Sequence, residues 1–149
     1  MLNFEKSTII HAPVETVWQF HERSDILQIL TPPWQPVKVL RREGGLDVGA
    51  ITEFEIQFGL IPIKWVARHT DCVRDRYFID RQIEGPCYSW VHRHQFTAEG
   101  DKTRLTDRID FELFGGELVE LIFGPFIRDR LHDMFAYRHQ TTQDYCQMK

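Results

Sequence analysis

Apolar and polar residues alternate most cleanly between Tyr88 and Leu113. Successive side chains of a strand point to opposite faces, so a period of two predicts strands. The first half of this stretch has an aromatic face and the second half an apolar face, and residues 98–101 (Ala-Glu-Gly-Asp) separate them. A turn this short predicts an antiparallel hairpin.

The inward faces of this hairpin carry three ionisable residues, His92, His94 and Asp107. Burying an unpaired ionisable group costs several kcal/mol, a large part of the roughly 5–15 kcal/mol by which a domain is stable. The three groups therefore either satisfy one another in a packed core or line a cavity that holds water or a ligand. The pattern leaves both alternatives open.

The same periodicities predict further elements. A first strand spans residues 4–11, a helix starts with Pro13 at its first position, and a short helix over residues 25–30 is capped by Ser24. Four more strands are predicted at residues 36–42, 50–58, 63–71 and 76–84. The two faces of residues 76–84 compete for the interior, and the pattern does not decide between them.

From Glu117 onward the period becomes helical. Two apolar stripes follow, formed by Leu118, Leu121 and Ile122 and by Ile127, Leu131, Met134 and Phe135. Gly124 and Pro125 lie between the stripes and are expected to kink or break the helix. The order predicts an α+β domain over residues 1–149, in which a curved antiparallel sheet of about seven strands wraps around a long C-terminal helix, with two short helices after strand one.

Composition and charge narrow the function classes. The net charge is −4 and acidic and basic residues are interspersed, so the basic stripe needed to bind nucleic acid is missing. Three cysteines without a metal-binding spacing indicate a reduced, cytoplasmic setting. The first residues do not resemble a secretory signal, and no apolar run approaches the ~20 residues of a membrane span.

Local motifs carry a family resemblance. They are residues 12–18 (Ala-Pro-Val-Glu-Thr-Val-Trp), 30–34 (Leu-Thr-Pro-Pro-Trp), 78–80 (Phe-Ile-Asp), 90–96 (Trp-Val-His-Arg-His-Gln-Phe) and 105–109 (Leu-Thr-Asp-Arg-Ile). These resemble the START-like (SRPBCC) superfamily, in particular its bacterial polyketide cyclase/dehydrase-like branch, over residues 3 to about 142. The resemblance implies the helix-grip fold and a hydrophobic cavity between sheet and long helix. Members use that cavity for unrelated purposes, so fold does not settle function.

The leading hypothesis is that the cavity binds a hydrophobic or aromatic small molecule, such as a lipid, a polyketide or a quinone-like compound, without a cofactor. Aromatic walls supply about 25 cal/mol per Å² of buried apolar surface, and a few polar groups orient the ligand. The expected lining is Trp34, Phe54, Phe58, Trp65, His69, Trp90, His92, His94, Asp107, Phe111, Leu131 and Phe135. Trp34 and the apolar tip formed by Leu60 and Ile61 are placed near an entrance.

Two other chemistries are weighed for the same residues. His92 and His94, oriented by Asp107, could act as acid and base in a cyclase or dehydratase, because imidazole titrates near neutral pH. The two histidines, with His69 or Asp107 as a third ligand, could hold zinc, but this spacing alone is a weak signal and no metal is predicted. Cys87 has no activating neighbour in the sequence and is expected to be a small filler.

A third class of function would use the rim rather than the cavity. The apolar stretch 118–127 and the Leu60-Ile61 tip could contact a membrane surface or a partner protein, as in an assembly or chaperone-like module. The alternative is that an amphipathic helix faces its own core. The sequence does not indicate an oligomeric state.

Overall fold

The computed structural model describes residues 1–147 and contains seven strands and three helices in the predicted order. The elements are β1 (Leu2–Ile10), α1 (Val14–His21), α2 (Ile26–Leu30), β2 (Val37–Glu43), β3 (Ile51–Phe58), β4 (Ile61–Val73), β5 (Tyr77–Glu84), β6 (Ser89–Glu99), β7 (Lys102–Glu112) and α3 (Glu117–Gln147). The strand order is β1-β7-β6-β5-β4-β3-β2 and every neighbouring pair is antiparallel. The predicted α+β helix-grip fold is confirmed.

The hairpin of β6 and β7 has a shorter turn than predicted. Glu99 pairs with Lys102, so two residues of the predicted turn, Ala98 and Glu99, belong to β6. Gly100 lies at φ +64°, in the left-handed region that glycine enters without steric cost. A two-residue turn of this kind matches the right-handed twist of the two strands.

The two short helices begin slightly differently from their predicted positions. Pro13 is the residue before the first helical position, and its carbonyl accepts hydrogen bonds from the backbone N–H groups of Thr16 and Val17. Ser24 does not cap α2, because Asp25 occupies the cap position and makes no side-chain cap hydrogen bond. The carboxylate of Asp25 is instead held by the guanidinium of Arg23.

Helix α3 passes through Pro125 without a break, so of the two predicted effects, a kink or a break, the break is wrong. Proline removes one backbone donor, which would bond the carbonyl of Leu121. Leu121 is exposed, so solvent can satisfy that carbonyl. Gly124 allows the helix to lie close to β1, because a Cβ there would be 3.2 Å from a methyl carbon of Leu2.

Buried apolar residues form two clusters. The first packs α1 and α2 against the sheet around Trp18, and the second packs α3 against β1 and β7 around Phe111 and Phe135. Residues of both clusters, including Leu30 and Phe135, line one cavity. The cavity is therefore the part of the interior that the two clusters leave unfilled.

Candidate functional site

A cavity of about 240 Å³ lies between the sheet, α2 and α3. Its walls are mostly apolar and aromatic, and they include Ile26, Leu27, Leu30, Phe54, Ile56, Trp65, Phe78, Trp90, Leu131, Met134 and Phe135. Trp65 packs edge-on against Trp90 with ring centroids 5.0 Å apart, and it stacks with Phe54 at 5.9 Å. These contacts give the cavity one continuous aromatic wall.

Most of the residues predicted to line a cavity lie in its wall. They are Phe54, Trp65, His69, Trp90, His92, His94, Asp107, Leu131 and Phe135. Strand β5, for which the sequence left the inward face open, turns Phe78 and Asp80 toward the cavity. Those two side chains share one face of the strand because they are two residues apart.

Three predicted lining residues lie elsewhere. Phe58 is 55% exposed at the end of β3, where the hairpin extends beyond the cavity wall. Trp34 is 53% exposed and packs edge-on against Tyr137 with ring centroids 5.5 Å apart. Phe111 is completely buried, but it fills the cluster between α3, β1 and β7 instead of facing the cavity.

Asp107 is the centre of a buried hydrogen-bond network. Its Oδ1 accepts a hydrogen bond from His92 Nε2 at 2.7 Å and lies 3.3 Å from His94 Nδ1. Its Oδ2 accepts a hydrogen bond from His139 Nε2 at 2.6 Å. His139 Nδ1 shares a further hydrogen bond of 2.6 Å with the hydroxyl of Thr8 on β1. The network therefore connects β1, β6, β7 and α3.

His94 lies between two carboxylates. Its Nε2 donates to Asp80 at 2.7 Å, while its Nδ1 faces Asp107. Burial alone would lower the pKa of His94, but the hydrogen bonds to Asp107 and Asp80 raise it to about 8. His94 is accordingly an imidazolium at neutral pH.

The two carboxylates stay ionised in this environment. Burial would raise the pKa of Asp107, yet hydrogen bonds from His139, His92 and His94 hold it well below its usual range. Burial opposes ionisation of Asp80 as well, and the hydrogen bond from His94 lowers its pKa. For both groups the hydrogen bonds to the charged form lower the pKa by more than burial raises it.

Three other histidines of the cavity wall, His21, His69 and His92, are held neutral. Burial is the main cause that lowers the pKa of His92, and the neighbouring charge of His94 lowers it further. Burial also lowers the pKa of His69, whose Nδ1 bonds the carbonyl of Leu46. For His21 burial lowers the pKa to about 4.

Polar residues of the site that were not predicted from the sequence include Thr8, Arg42, Asp80, Arg138 and His139. One signal was available for the helix. His139 follows Leu131 and Phe135 at intervals of four on the same apolar stripe, so it had to face inward. Asp80 shares its strand face with Phe78 and could have been placed only once that face was known.

Metal binding by this cluster has a specific obstacle. Asp80, His92 and His94 bring one ligand atom each within 4.8 Å of one another, a different third ligand from the predicted His69 or Asp107. However, His92 and His94 already donate hydrogen bonds of 2.7 Å to carboxylates. His94 faces a carboxylate with each ring nitrogen, so a metal ion bound to it would have to displace one of its protons, and the donor set fits a hydrogen-bond network better than a tetrahedral site.

Cys87 and the apolar rim remain outside this site. Burial raises the pKa of the Cys87 thiol to about 11, so it is a poor nucleophile at neutral pH. Leu60 is 99% exposed, so the hairpin tip does not fold back over the core. The start of α3 is also exposed at Leu118, Leu121, Ile122, Phe123 and Phe126. Contact of this rim with a membrane or partner protein stays a prediction.

Comparison with known families identifies one match. The model of the family described as polyketide cyclase / dehydrase and lipid transport matches residues 10–136. No curated protein matched the chain. Within residues 1–147, no helix is both long and apolar enough to cross a membrane.

Several solved structures share the fold. A protein from Chromobacterium violaceum has 10% sequence identity and a TM-score of 0.76, covering 99% of this chain and 98% of that chain. A protein from Thermus thermophilus has 18% identity and a TM-score of 0.61, covering 95% and 92%. A nucleoside-diphosphate sugar epimerase from Corynebacterium glutamicum has 25% identity and a TM-score of 0.71. The match to the epimerase covers 95% of this chain but only 28% of that longer chain.

Proposed function

We propose, for a chain that belongs to the polyketide cyclase / dehydrase and lipid transport family, that the cavity binds an apolar or aromatic small molecule. The observation that carries this proposal is the cavity of about 240 Å³ with its aromatic wall. Apolar side chains in such a wall stabilise a ligand by about 25 cal/mol per Å² of apolar surface removed from water. A small number of polar groups at one side can orient the ligand.

The cavity volume limits the size of the molecule. An apolar cavity of about 150 Å³ holds benzene, and pockets for drug-sized ligands span roughly 300–1,000 Å³. The present cavity lies between these two sizes. We therefore expect a ligand with one or two rings, or a larger molecule of which only such a part enters.

Native mass spectrometry of protein purified from its own host tests this function. We expect a retained small molecule that is released on denaturation. Its removal is expected to change the fluorescence intensity of Trp65 and Trp90, since both indoles lie in the cavity wall. Absence of any retained molecule, together with no fluorescence change on titration with bicyclic aromatic compounds, would contradict the proposal.

A second candidate function, acid–base catalysis, is favoured by the state of His92. Its Nε2 donates to Asp107, which fixes the neutral tautomer with the lone pair on Nδ1. Within residues 1–147, Nδ1 of His92 has no hydrogen-bond partner, and the side chain lines the cavity. A neutral imidazole oriented by a carboxylate can accept a proton from a bound polyketide-like substrate.

Turnover of a synthetic poly-β-ketone substrate tests this second candidate. Replacing His92 or His94 by alanine is expected to lower the rate by about 10²–10⁴-fold, the usual contribution of a general acid or base. The same substitution at His132, which is exposed on α3, serves as the control. Equal rates for His92→Ala and His132→Ala, with both proteins folded, would leave ligand binding as the only supported function.

A further inference from the structure

Two arginines in the cavity wall take part in no ion pair of the described residues. Arg138 on α3 and Arg42 on β2 both line the cavity, and neither forms an ion pair with any carboxylate of residues 1–147. Other arginines of the chain, such as Arg23 and Arg104, do form such pairs. A buried guanidinium without a partner is costly, so a buried arginine is normally paired.

Arg138 has an unsatisfied donor as well as an unpaired charge. Its Nε is shut off from solvent and has no hydrogen-bond partner within residues 1–147. The guanidinium carbon lies 5.2 Å from the ring centroid of Phe135, so the group rests on an aromatic side chain that also lines the cavity. Buried donors are nearly always bonded, and an exception calls for an explanation.

The charged groups around the cavity differ in how they are partnered. Asp80 and Asp107 contribute two negative charges, and the imidazolium of His94 lies between them. Arg42 is half-buried and lies near the carboxylate of Asp25, which favours its charged form. Burial lowers the pKa of Arg138, against the attraction of Asp107 and Asp80. Arg138 therefore holds a buried positive charge that no ion pair within residues 1–147 neutralises.

We propose that the molecule held in the cavity is an apolar or aromatic monoanion, a carboxylate in the simplest case, whose oxygen accepts a hydrogen bond from the guanidinium of Arg138. The anion supplies the counter-charge that no ion pair within residues 1–147 gives to Arg138, and its oxygen can approach the terminal nitrogens of a guanidinium that lines the cavity. Charge-assisted bonds from arginine to carboxylate are among the strongest in proteins. The proposal rests on the proposed ligand-binding function of the same cavity and names the chemical class of the ligand.

Three isosteric probes separate charge from shape. They are 2-naphthoate, which is anionic, 2-acetylnaphthalene, which keeps the carbonyl without the charge, and 2-isopropenylnaphthalene, which is apolar. Their dissociation constants can be followed through Trp65 and Trp90 fluorescence and by calorimetry. We expect 2-naphthoate to bind about tenfold or more tightly than either neutral probe, the value of a hydrogen bond to a charged group.

Variants assign the preference to Arg138. Arg138→Met is expected to remove the preference for 2-naphthoate, while Arg138→Lys, which retains the charge but lacks Nε, retains part of it. Arg42→Met is expected to weaken 2-naphthoate binding without affecting the neutral probes. Arg130→Met provides the matched control, because Arg130 is an exposed arginine of the same helix. Circular dichroism checks that each variant folds, and Arg138→Lys carries the test if Arg138→Met does not.

The outcomes distinguish the inference from the proposed function. If the neutral probes bind as tightly as 2-naphthoate, or if the preference persists in both Arg138 variants, the inference is wrong and ligand binding still stands. Tighter binding of 2-acetylnaphthalene alone would show that the site selects a neutral acceptor and would overturn the anionic class. If none of the three probes binds, the proposed function fails for bicyclic ligands and the inference fails with it.

Discussion

The imidazole rings of His92 and His94 stack with centroids 3.6 Å apart and planes inclined by 26°. They come from the same face of β6, two residues apart, and each donates from Nε2 to a different carboxylate. Two imidazolium groups at this distance would repel each other strongly in a buried setting. Only one ring of the pair is charged near neutral pH, and the two flanking carboxylates select His94.

Replacing His94 by glutamine should therefore raise the pKa of His92. Burial still lowers that pKa, but the repulsion from the neighbouring imidazolium is gone, and the hydrogen bond to Asp107 still favours the charged form. Titration of the imidazole nitrogen chemical shifts by NMR measures the change. His132→Gln, on the exposed face of α3, should leave the His92 titration where it is. A lower or unchanged pKa for His92 in the His94 variant would mean that the rings do not share one charge.

Stability should fall as the pH rises from about 6.5 to 8. The folded protein holds the His94 proton up to a pKa of about 8, whereas the ordinary value is 6.5. Between these values the folded state binds more protons than the unfolded chain, so its advantage is lost as pH increases. The difference corresponds to about 2 kcal/mol, measurable by urea unfolding at each pH. In His94→Gln the decline over this interval should be absent.

Stability should also fall on the acid side, between about pH 6.5 and 4. His21 is buried and neutral, and burial lowers its pKa to about 4, so the unfolded chain binds a proton that the folded protein rejects. The free energy of unfolding then decreases as the pH falls, by about 3 kcal/mol for a shift of this size. Replacing His21 by phenylalanine should reduce this decrease in the free energy of unfolding, measured by urea unfolding in the same way. If the free energy of unfolding of this variant decreased as steeply with falling pH as that of the parent protein, the acid sensitivity would belong to other groups.

Asp107→Asn should destabilise the protein by about 3–5 kcal/mol, the usual cost of removing one partner from a buried charged network. An asparagine amide can no longer accept all the hydrogen bonds that His92, His94 and His139 bring to the carboxylate. Asp110→Asn on the same strand is the matched control, because its ion pair with Arg108 is solvent-exposed. Exposed pairs contribute about 0–1 kcal/mol. Similar losses for the two variants would contradict a central role for Asp107.

Ala67→Phe should abolish ligand binding by filling the cavity. Ala67 is a buried wall residue on β4, and the added ring can occupy the adjoining free volume, so we expect the overpacking cost to stay at or below about 1–3 kcal/mol. Ala98→Phe makes the same change at an exposed strand position. Probe titrations through Trp65 and Trp90 fluorescence compare the two. Retained affinity in a folded Ala67→Phe protein would place the ligand outside this cavity.

Most of the fold could be predicted because period and turn residues are local signals. Every strand and helix was found, and the family resemblance supplied their arrangement. The errors came from features that the hydrophobic pattern does not report: Pro125 is accommodated where α3 is exposed, and Asp25 occupies the cap position and is held by its chain neighbour Arg23. Secondary-structure propensity reports neither the exposure of α3 at Pro125 nor the bond between Arg23 and Asp25.

The site was predicted less completely than the fold. Alternation placed His92, His94 and Asp107 on inward faces, but their partners Asp80 and His139 come from β5 and α3. The sequence did not decide which face of β5 points inward. Helix α3 follows a helical period, which the alternation in the strands does not reveal. Arg138 could not be recognised at all, because its missing partner becomes visible only once every neighbouring carboxylate has been located.

The bonds from Thr8 through His139 to Asp107 also restrict how molecules can be exchanged with solvent. They hold the C-terminal half of α3 against β1 and β7. Moving the helix away there would leave the buried carboxylate of Asp107 without this partner, at a cost of about 3–5 kcal/mol. Another part of the wall is formed by Ile26, Leu27 and Leu30 of α2, which can separate from the sheet without unpairing a charge. Entry and release should therefore depend on the motion of that five-residue helix, and the rate of exchange should be insensitive to the state of the histidine network.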